Sequence, residues 1–317
     1  MNDHLATLIK RASAPFDRTF APEDIDQSTL DDYQKRFHDV VSTRYGIIAA
    51  DKRIRSFTGF DFPSHPRAAD PDVDYPNADW SCTFRAILTF AFGTSRSDVI
   101  FDRQDVSAPF PVLWPFLAYA QQQLQADLRN AEAACGLPLD TPALKAHVTR
   151  LETVSLRSII YKIGMSRMLS SLSPGTPEDA YTKFFEDVCA TQRSFLAFFE
   201  GFPVLLRHLT IITAQHVTTT RLFIQRLMTD WEEIQRFLSI TQDEPSIADA
   251  EFQLSDPHDN GFTVASISFS SGERLFYKPR PLAIDTLYRE VITWLNHQMG
   301  GEHLRAAAVL DRGTYGW

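Results

Sequence analysis

The stretch "RLFYKPRPLAID", residues 274–285, decides how the second half of the chain reads. An apolar and aromatic run ends at Lys278, and Lys278 and Arg280 each stand before a proline. Side chains alternate along a strand, so Leu275 and Tyr277 face one way while Phe276 and Lys278 face the other. A residue before proline is pushed toward extended backbone. The lysine is therefore presented extended, at a strand end, with an aromatic neighbour on its own face.

Working outward, "FTVASISFSSGERLFYKP" is β-branched and aromatic, with Ser-Ser-Gly at 270–272. It predicts a β-hairpin with strands near 262–270 and 273–278. Downstream, "IDTLYREVITWLNHQMG" places Ile284, Leu287, Tyr288, Val291, Ile292 and Leu295 on one helical face, stopped by Gly300 and Gly301. The last segment, "AAAVLDRGTYGW", reads as a further strand and turn. Upstream stands "SDPHDNG", 255–261, with Asp256 and His258 two positions apart. A carboxylate and an imidazole on one turn suit general acid/base work. The same residues also suit an Asx-type turn chosen for backbone shape. Lys278 has two readings as well. It is either a phosphate-contacting lysine fixed on a strand ahead of a helix, or a solvated edge lysine that blocks unwanted pairing.

Residues 1–240 read as helical. "STLDDYQKRF" carries an N-cap signature at Ser28 and Asp31, with a helix from about Thr29 to Tyr45. Residues 61–80 are Pro- and Asp-rich and read as a loop. Apolar positions 113, 116, 117, 120, 124 and 128 have helical spacing, with Gly136 as the stop. Thr141–Pro142 and Thr176–Pro177 each open a further helix. Phe184, Phe185, Val188 and Phe195 line one face of the second. The helix from Pro203 is expected to break near the β-branched run at 217–220. The fold class is α+β, mostly α, with a helical region over 1–245 and a second region over 246–317.

The 317 residues carry a formal charge of -9. That argues against a nucleic-acid binder, which needs a basic face. Cys82, Cys135 and Cys189 are few and far apart. They read as reduced thiols of a cytoplasmic protein, without metal-site spacing. No apolar run approaches the ~20 residues of a membrane span. The longest, "GFPVLLRHLTIIT", is broken by Arg207 and His208. The N-terminus shows no secretory signal.

In combination, these segments resemble the dehydratase domain of class II lanthipeptide (lantibiotic) synthetases. That family typically shows G-D-x-H-x-x-G, then V-Y-K-P-R, then a helix ending W-L-N. Here they stand as Asp256, His258 and Gly261; as Tyr277, Lys278, Pro279 and Arg280; and as Trp294, Leu295 and Asn296. "DRGTYGW" is similar to the family's Y-G-W segment, and the resemblance extends over about 140–317.

The resemblance implies a lipid-kinase-like fold that uses ATP and Mg²⁺ to phosphorylate Ser and Thr of a ribosomal precursor peptide. The same domain then eliminates phosphate to leave dehydroalanine or dehydrobutyrine. It implies that Lys278 contacts ATP phosphate, that Asp256 and His258 serve elimination, and that Arg280 shapes the nucleotide site. Ser255 stands where the family has Gly. The family's catalytic-loop Asp, His and Asn, its Mg²⁺-binding Asp and its zinc cyclase domain are expected beyond Trp317. The expectation is thus the N-terminal part of a truncated or split synthetase. It would be inactive alone and completed by a complementary chain. Its hairpin and 284–295 helix are expected to lack the far side of their core, leaving 245–317 mobile, sticky or docked on the helical region. The alternative is a non-catalytic helical module that binds a leader peptide or partner protein.

Overall fold

A computed structural model describes residues 5, 8, 9, 12, 79–93, 111–136, 140–168, 184–239 and 247–317. The expected helix at 29–45, the loop over 61–78 and the Thr176–Pro177 helix start lie outside these residues. The chain divides into two compact units. One comprises Met1–Cys82 and Phe195–Arg207; the other comprises Thr83–Ser194 and His208–Trp317. The change near 245 is therefore a change from helix to strand inside the second unit, not the edge of a packed unit.

The helices follow their apolar spacing. After α1 (Asp79–Phe92) and a 3₁₀ turn at Pro111–Leu113 comes α2 (Trp114–Cys135). It buries Phe116, Leu117, Ala120, Leu124, Leu128 and Ala131. Gly136 ends it in the left-handed conformation at φ 66°, its N–H donating to Glu132 O at 2.9 Å. Helix α3 spans Asp140–Met168 and starts one residue before the expected Thr141 cap.

Two expectations about breaks reverse. The face through Phe184 and Phe195 is not one helix: a helical run ends at 189 and α4 (Gln192–Phe199) begins anew. The cause is a reciprocal cap. Ser194 N–H donates to Thr191 Oγ1 and Thr191 N–H donates to Ser194 Oγ, both at 3.1 Å. Helix α5 (Pro203–Phe237), by contrast, runs through 217–220 unbroken. Its threonines return their hydroxyls to the preceding turn, Thr218 to Ala214 O at 2.9 Å and Thr219 to Gln215 O at 2.8 Å. Back-bonding of this kind satisfies the hydroxyl within the helix.

Strands β1 (Ile247–Glu251), β2 (Ala265–Phe269) and β3 (Arg274–Tyr277) form an antiparallel sheet in that order. Ala265 pairs with Tyr277 and Ser268 with Arg274. The hairpin is present with shorter strands than expected, and Gly272 turns it at φ 100°. The alternation is also as expected: Leu275 and Tyr277 are buried, while Phe276 is exposed.

The apolar side of the hairpin is covered. Ile267, Leu275 and Tyr277 join Leu124, Leu128, Phe223, Leu227 and Trp317 in one core. The expectation of an uncovered hairpin is thus corrected, because α2 and α5 supply the opposing layer. Helix α6 (Ala283–Met299) differs. Ile292 is buried, but Ile284, Leu287, Tyr288, Val291 and Trp294 are exposed. Asn296, which ends the W-L-N run, accepts from His303 N–H and Leu304 N–H and donates to Leu304 O, folding 300–304 back on the helix.

Candidate functional site

Lys278 follows β3 directly and is locked by its backbone. Lys278 N–H donates to Gly316 O at 2.9 Å, and Gly316 N–H returns to Lys278 O at 3.1 Å. Gly316 is required by space, since a Cβ there would lie 2.5 Å from Leu282 Cδ1 and 2.6 Å from Leu310 O. The Y-K-P-R and Y-G-W segments are thus one hydrogen-bonded structure.

The lysine is not a free edge charge. Its Nζ donates to Asp285 Oδ1 at 2.8 Å. Arg280 Nη1 reaches the other oxygen, Oδ2, at 3.0 Å. Asp285 lies in the first turn of α6, where a negative charge also meets the helix dipole favourably. The hydrogen bond from Lys278 is the main cause holding the Asp285 carboxyl below its ordinary pKa, and Arg280 adds to it. Asp285 is the site residue that sequence reading missed. The sequence marks it only as an acid in the first turn after two proline-flanked cations, which does not single it out among the chain's acids.

The Asp256–Gly261 turn stands at the same end of the sheet. The register sets Ala265 opposite Tyr277, so the chain before β2 and the chain after β3 leave together. The turn closes through Gly261 N–H to His258 O at 2.9 Å and Phe262 N–H to His258 O at 2.8 Å. Asp259, Asn260 and Gly261 all have positive φ. Ser255 has a task of its own here, accepting from Val264 N–H at 3.0 Å. The turn docks on two helices. Gln253 Nε2 donates to Ala146 O at 2.7 Å. Gly261 presses on Arg150 and Gln215, which bond each other at 2.9 Å. Asp256 and His258 are exposed, and among the described residues neither side chain has a hydrogen-bond partner. They are presented at the same end of the sheet as Lys278, without direct contact to it.

Between the turn, α5 and β3 lies a small recess, open to solvent. Thr219, Thr220, Phe223, Phe262 and Tyr277 are among its walls.

Helix α5 clasps the end of the chain. Asp230, fully buried, accepts from Tyr315 Oη at 2.8 Å and Trp317 Nε1 at 2.7 Å. Arg312 pairs with its other oxygen at 3.0 Å and also with Glu233. One turn earlier, Arg226 donates to the Tyr277 hydroxyl and stacks over the Tyr315 ring at 4.0 Å. Burial pushes the Tyr277 and Tyr315 hydroxyls up in pKa.

Residues 202–317 match a family model described as a domain of unknown function, DUF4135. The match spans α5, the sheet, α6 and the clasped terminus, so it covers every site residue above. Its description carries no activity. No curated protein matches the chain.

Among the described residues no group of three or more His, Cys, Asp or Glu is placed to hold a metal ion. Cys82 is exposed, Cys189 is partly buried with its Sγ 3.5 Å from Pro111 O, and Cys135 is buried. Burial pushes the Cys135 thiol up to about 11. Among the described residues no single helix is long and apolar enough to cross a membrane.

Proposed function

We propose that this chain is the N-terminal part of a lanthipeptide dehydratase domain, acting in the cytoplasm on a ribosomal precursor peptide. One observation carries the reading. Three of the four segments behind the resemblance meet at one end of one sheet: the D-x-H-x-x-G turn, the Y-K-P-R strand end and the Y-G-W terminus.

In this reading ATP, when bound, supplies the phosphoryl group. Lys278 holds a phosphate oxygen, its backbone fixed by Gly316 and its extended path by Pro279. Arg280, one residue beyond, shapes the same charge environment. His258 and Asp256, exposed on a rigid turn, move the proton that elimination takes from the substrate α-carbon. The described carboxylates do not fit a Mg²⁺ site: Asp285 is already held by two cations.

The test uses a synthetase containing this chain, assayed with its precursor by mass spectrometry. Lys278→Ala is expected to abolish phosphate incorporation. His258→Ala or Asp256→Ala is expected to leave phosphorylated precursor accumulating. Normal dehydration by all three variants would end the proposal.

The second reading, a non-catalytic binding module for a leader peptide or partner protein, is favoured by one feature. Helix α6 exposes Ile284 at 78% and Trp294 at 60%.

A further inference from the structure

Lys278 and Arg280 present two cations to one carboxylate. The contacts are Nζ to Oδ1 at 2.8 Å, Nη1 to Oδ2 at 3.0 Å and Nη2 to Oδ1 at 3.5 Å. A phosphate oxyanion offers donors the same pair of oxygens as a carboxylate. Asp285 is also the least exposed of the three, at 21% against 36% for Lys278 and 54% for Arg280. The cations therefore open toward solvent while their counter-ion sits behind them. Pro279 and Pro281 stiffen the segment that carries them.

We infer that Asp285 is the resting occupant of an anion site formed by Lys278 and Arg280, and that it competes with the terminal phosphates of a polyphosphate ligand for Lys278. Arg280 keeps Asp285 when Lys278 lets go. The carboxylate remains paired, and the exchange leaves no isolated charge in a half-buried place. Asp285 is then a positioning residue with a measurable sign. It weakens the anion that Lys278 binds, because its negative charge offsets the ammonium and repels an incoming phosphate.

This inference rests on the phosphate role proposed for Lys278, but not on phosphoryl transfer. Its test is calorimetric binding to the full chain, with two ligands: inorganic tripolyphosphate and ATP. Asp285→Asn is nearly isosteric and is expected to tighten both about tenfold. Lys278→Ala added to Asp285→Asn is expected to remove the gain. Equal gains for both ligands mean that the site reads phosphate alone. A larger gain for ATP means that the nucleoside is read as well. Unchanged or weaker binding of both ligands by Asp285→Asn overturns the inference.

A second measurement covers the case in which the variant folds poorly. Acetylation of Lys278 in the wild-type chain, followed by peptide mapping, should slow at saturating tripolyphosphate. No protection overturns the inference. If precursor phosphorylation depends on Lys278 while Asp285→Asn leaves anion binding unchanged, the functional reading stands and this inference falls. If Asp285→Asn tightens tripolyphosphate while no precursor is phosphorylated, the reverse holds.

Discussion

Asp230 accepts the indole N–H of Trp317 at 2.7 Å, across 87 positions of sequence. The same carboxylate takes the Tyr315 hydroxyl and pairs with Arg312, so the end of the chain is held to α5 by one buried acid. Gly316, between those aromatics, bridges to Lys278. The strand end that presents the lysine is therefore buttressed from α5 through the terminus. Asp230→Ala leaves an indole and a phenol without their acceptor, and leaves Arg312 with Glu233 alone. Removing one partner of a buried pair costs about 3–5 kcal/mol. Arg312 is 30% exposed and regains water, so the loss here should lie near ~3 kcal/mol. Urea unfolding followed at Trp317 measures it. A loss under ~0.5 kcal/mol, the usual range of a neutral surface change, would mean that the clasp contributes nothing.

Gly261 and Gly272 form a controlled pair. Both have φ near 100°, a region that costs an L-residue about 1 kcal/mol or more. They differ in space. A Cβ at Gly272 meets nothing within 4 Å, whereas one at Gly261 lies 2.9 Å from Gln215 Cβ. That atom is fixed to α5 and cannot swing aside. Gly272→Ala should cost only the backbone term, ~1 kcal/mol. Gly261→Ala should cost ~1–3 kcal/mol more and shift the Asp256–His258 turn off α3 and α5. Equal costs in thermal unfolding would show that the turn is not pressed against the helices.

Helix α6 makes the opposite prediction for two apolar residues of one element. Ile292 is 8% exposed and Leu287 is 59% exposed. Ile292→Ala should cost about 2–4 kcal/mol. Leu287→Lys should stay within about 0.5 kcal/mol of the parent and raise solubility. A large loss for Leu287→Lys would mean that the face is covered in solution.

The legible and illegible parts of the sequence divide by the distance over which the physics acts. The α2 stripe from Leu113 to Leu128, the stop at Gly136 and the Leu275/Tyr277 alternation are local periodicities, and each was readable. Strand β1, "IADAE", was not, because alanines and acids carry no strand signal and pairing with β2 makes it a strand. The continuity of α5 at 217–220 depended on threonine hydroxyls closing within the helix. In the candidate site, Asp256, His258, Lys278 and Arg280 could be picked out as chemistry-bearing types. Asp285 and Asp230 could not be singled out among the chain's 40 acidic residues. Their importance comes from partners brought together by folding.

His147 and His216 give the final prediction, a dependence of stability on pH. The rings stack at 4.3 Å between α3 and α5, with 11° between their planes. Both are buried. Their hydrogen bonds run to hydroxyls, His147 Nε2 with Thr213 at 3.3 Å and His216 Nδ1 with Thr220 at 3.5 Å. Among the described residues the charged side chain that bears on both is Arg150, a cation. Burial first, then neighbouring positive charge, therefore favours the neutral rings. His216 is lowered to about 3, and His147 is also well below its ordinary value. A histidine depressed in the fold contributes stability above its unfolded pKa of about 6.5 and loses it as pH falls. The loss should begin near pH 6.5 and approach ~1.4 kcal/mol per pH unit for each uncoupled ring, levelling near the folded value. Arg150 also bonds Gln215 and lies against Gly261, so strain from a protonated ring would reach the Asp256–Gly261 turn early. Urea midpoints from pH 7.5 to 5 measure the slope, and hydrogen exchange at Gly261 and Phe262 reports the turn. His216→Gln removes one titrating ring and should flatten the curve relative to the parent. An unchanged slope in that variant would show that other groups drive the acid sensitivity.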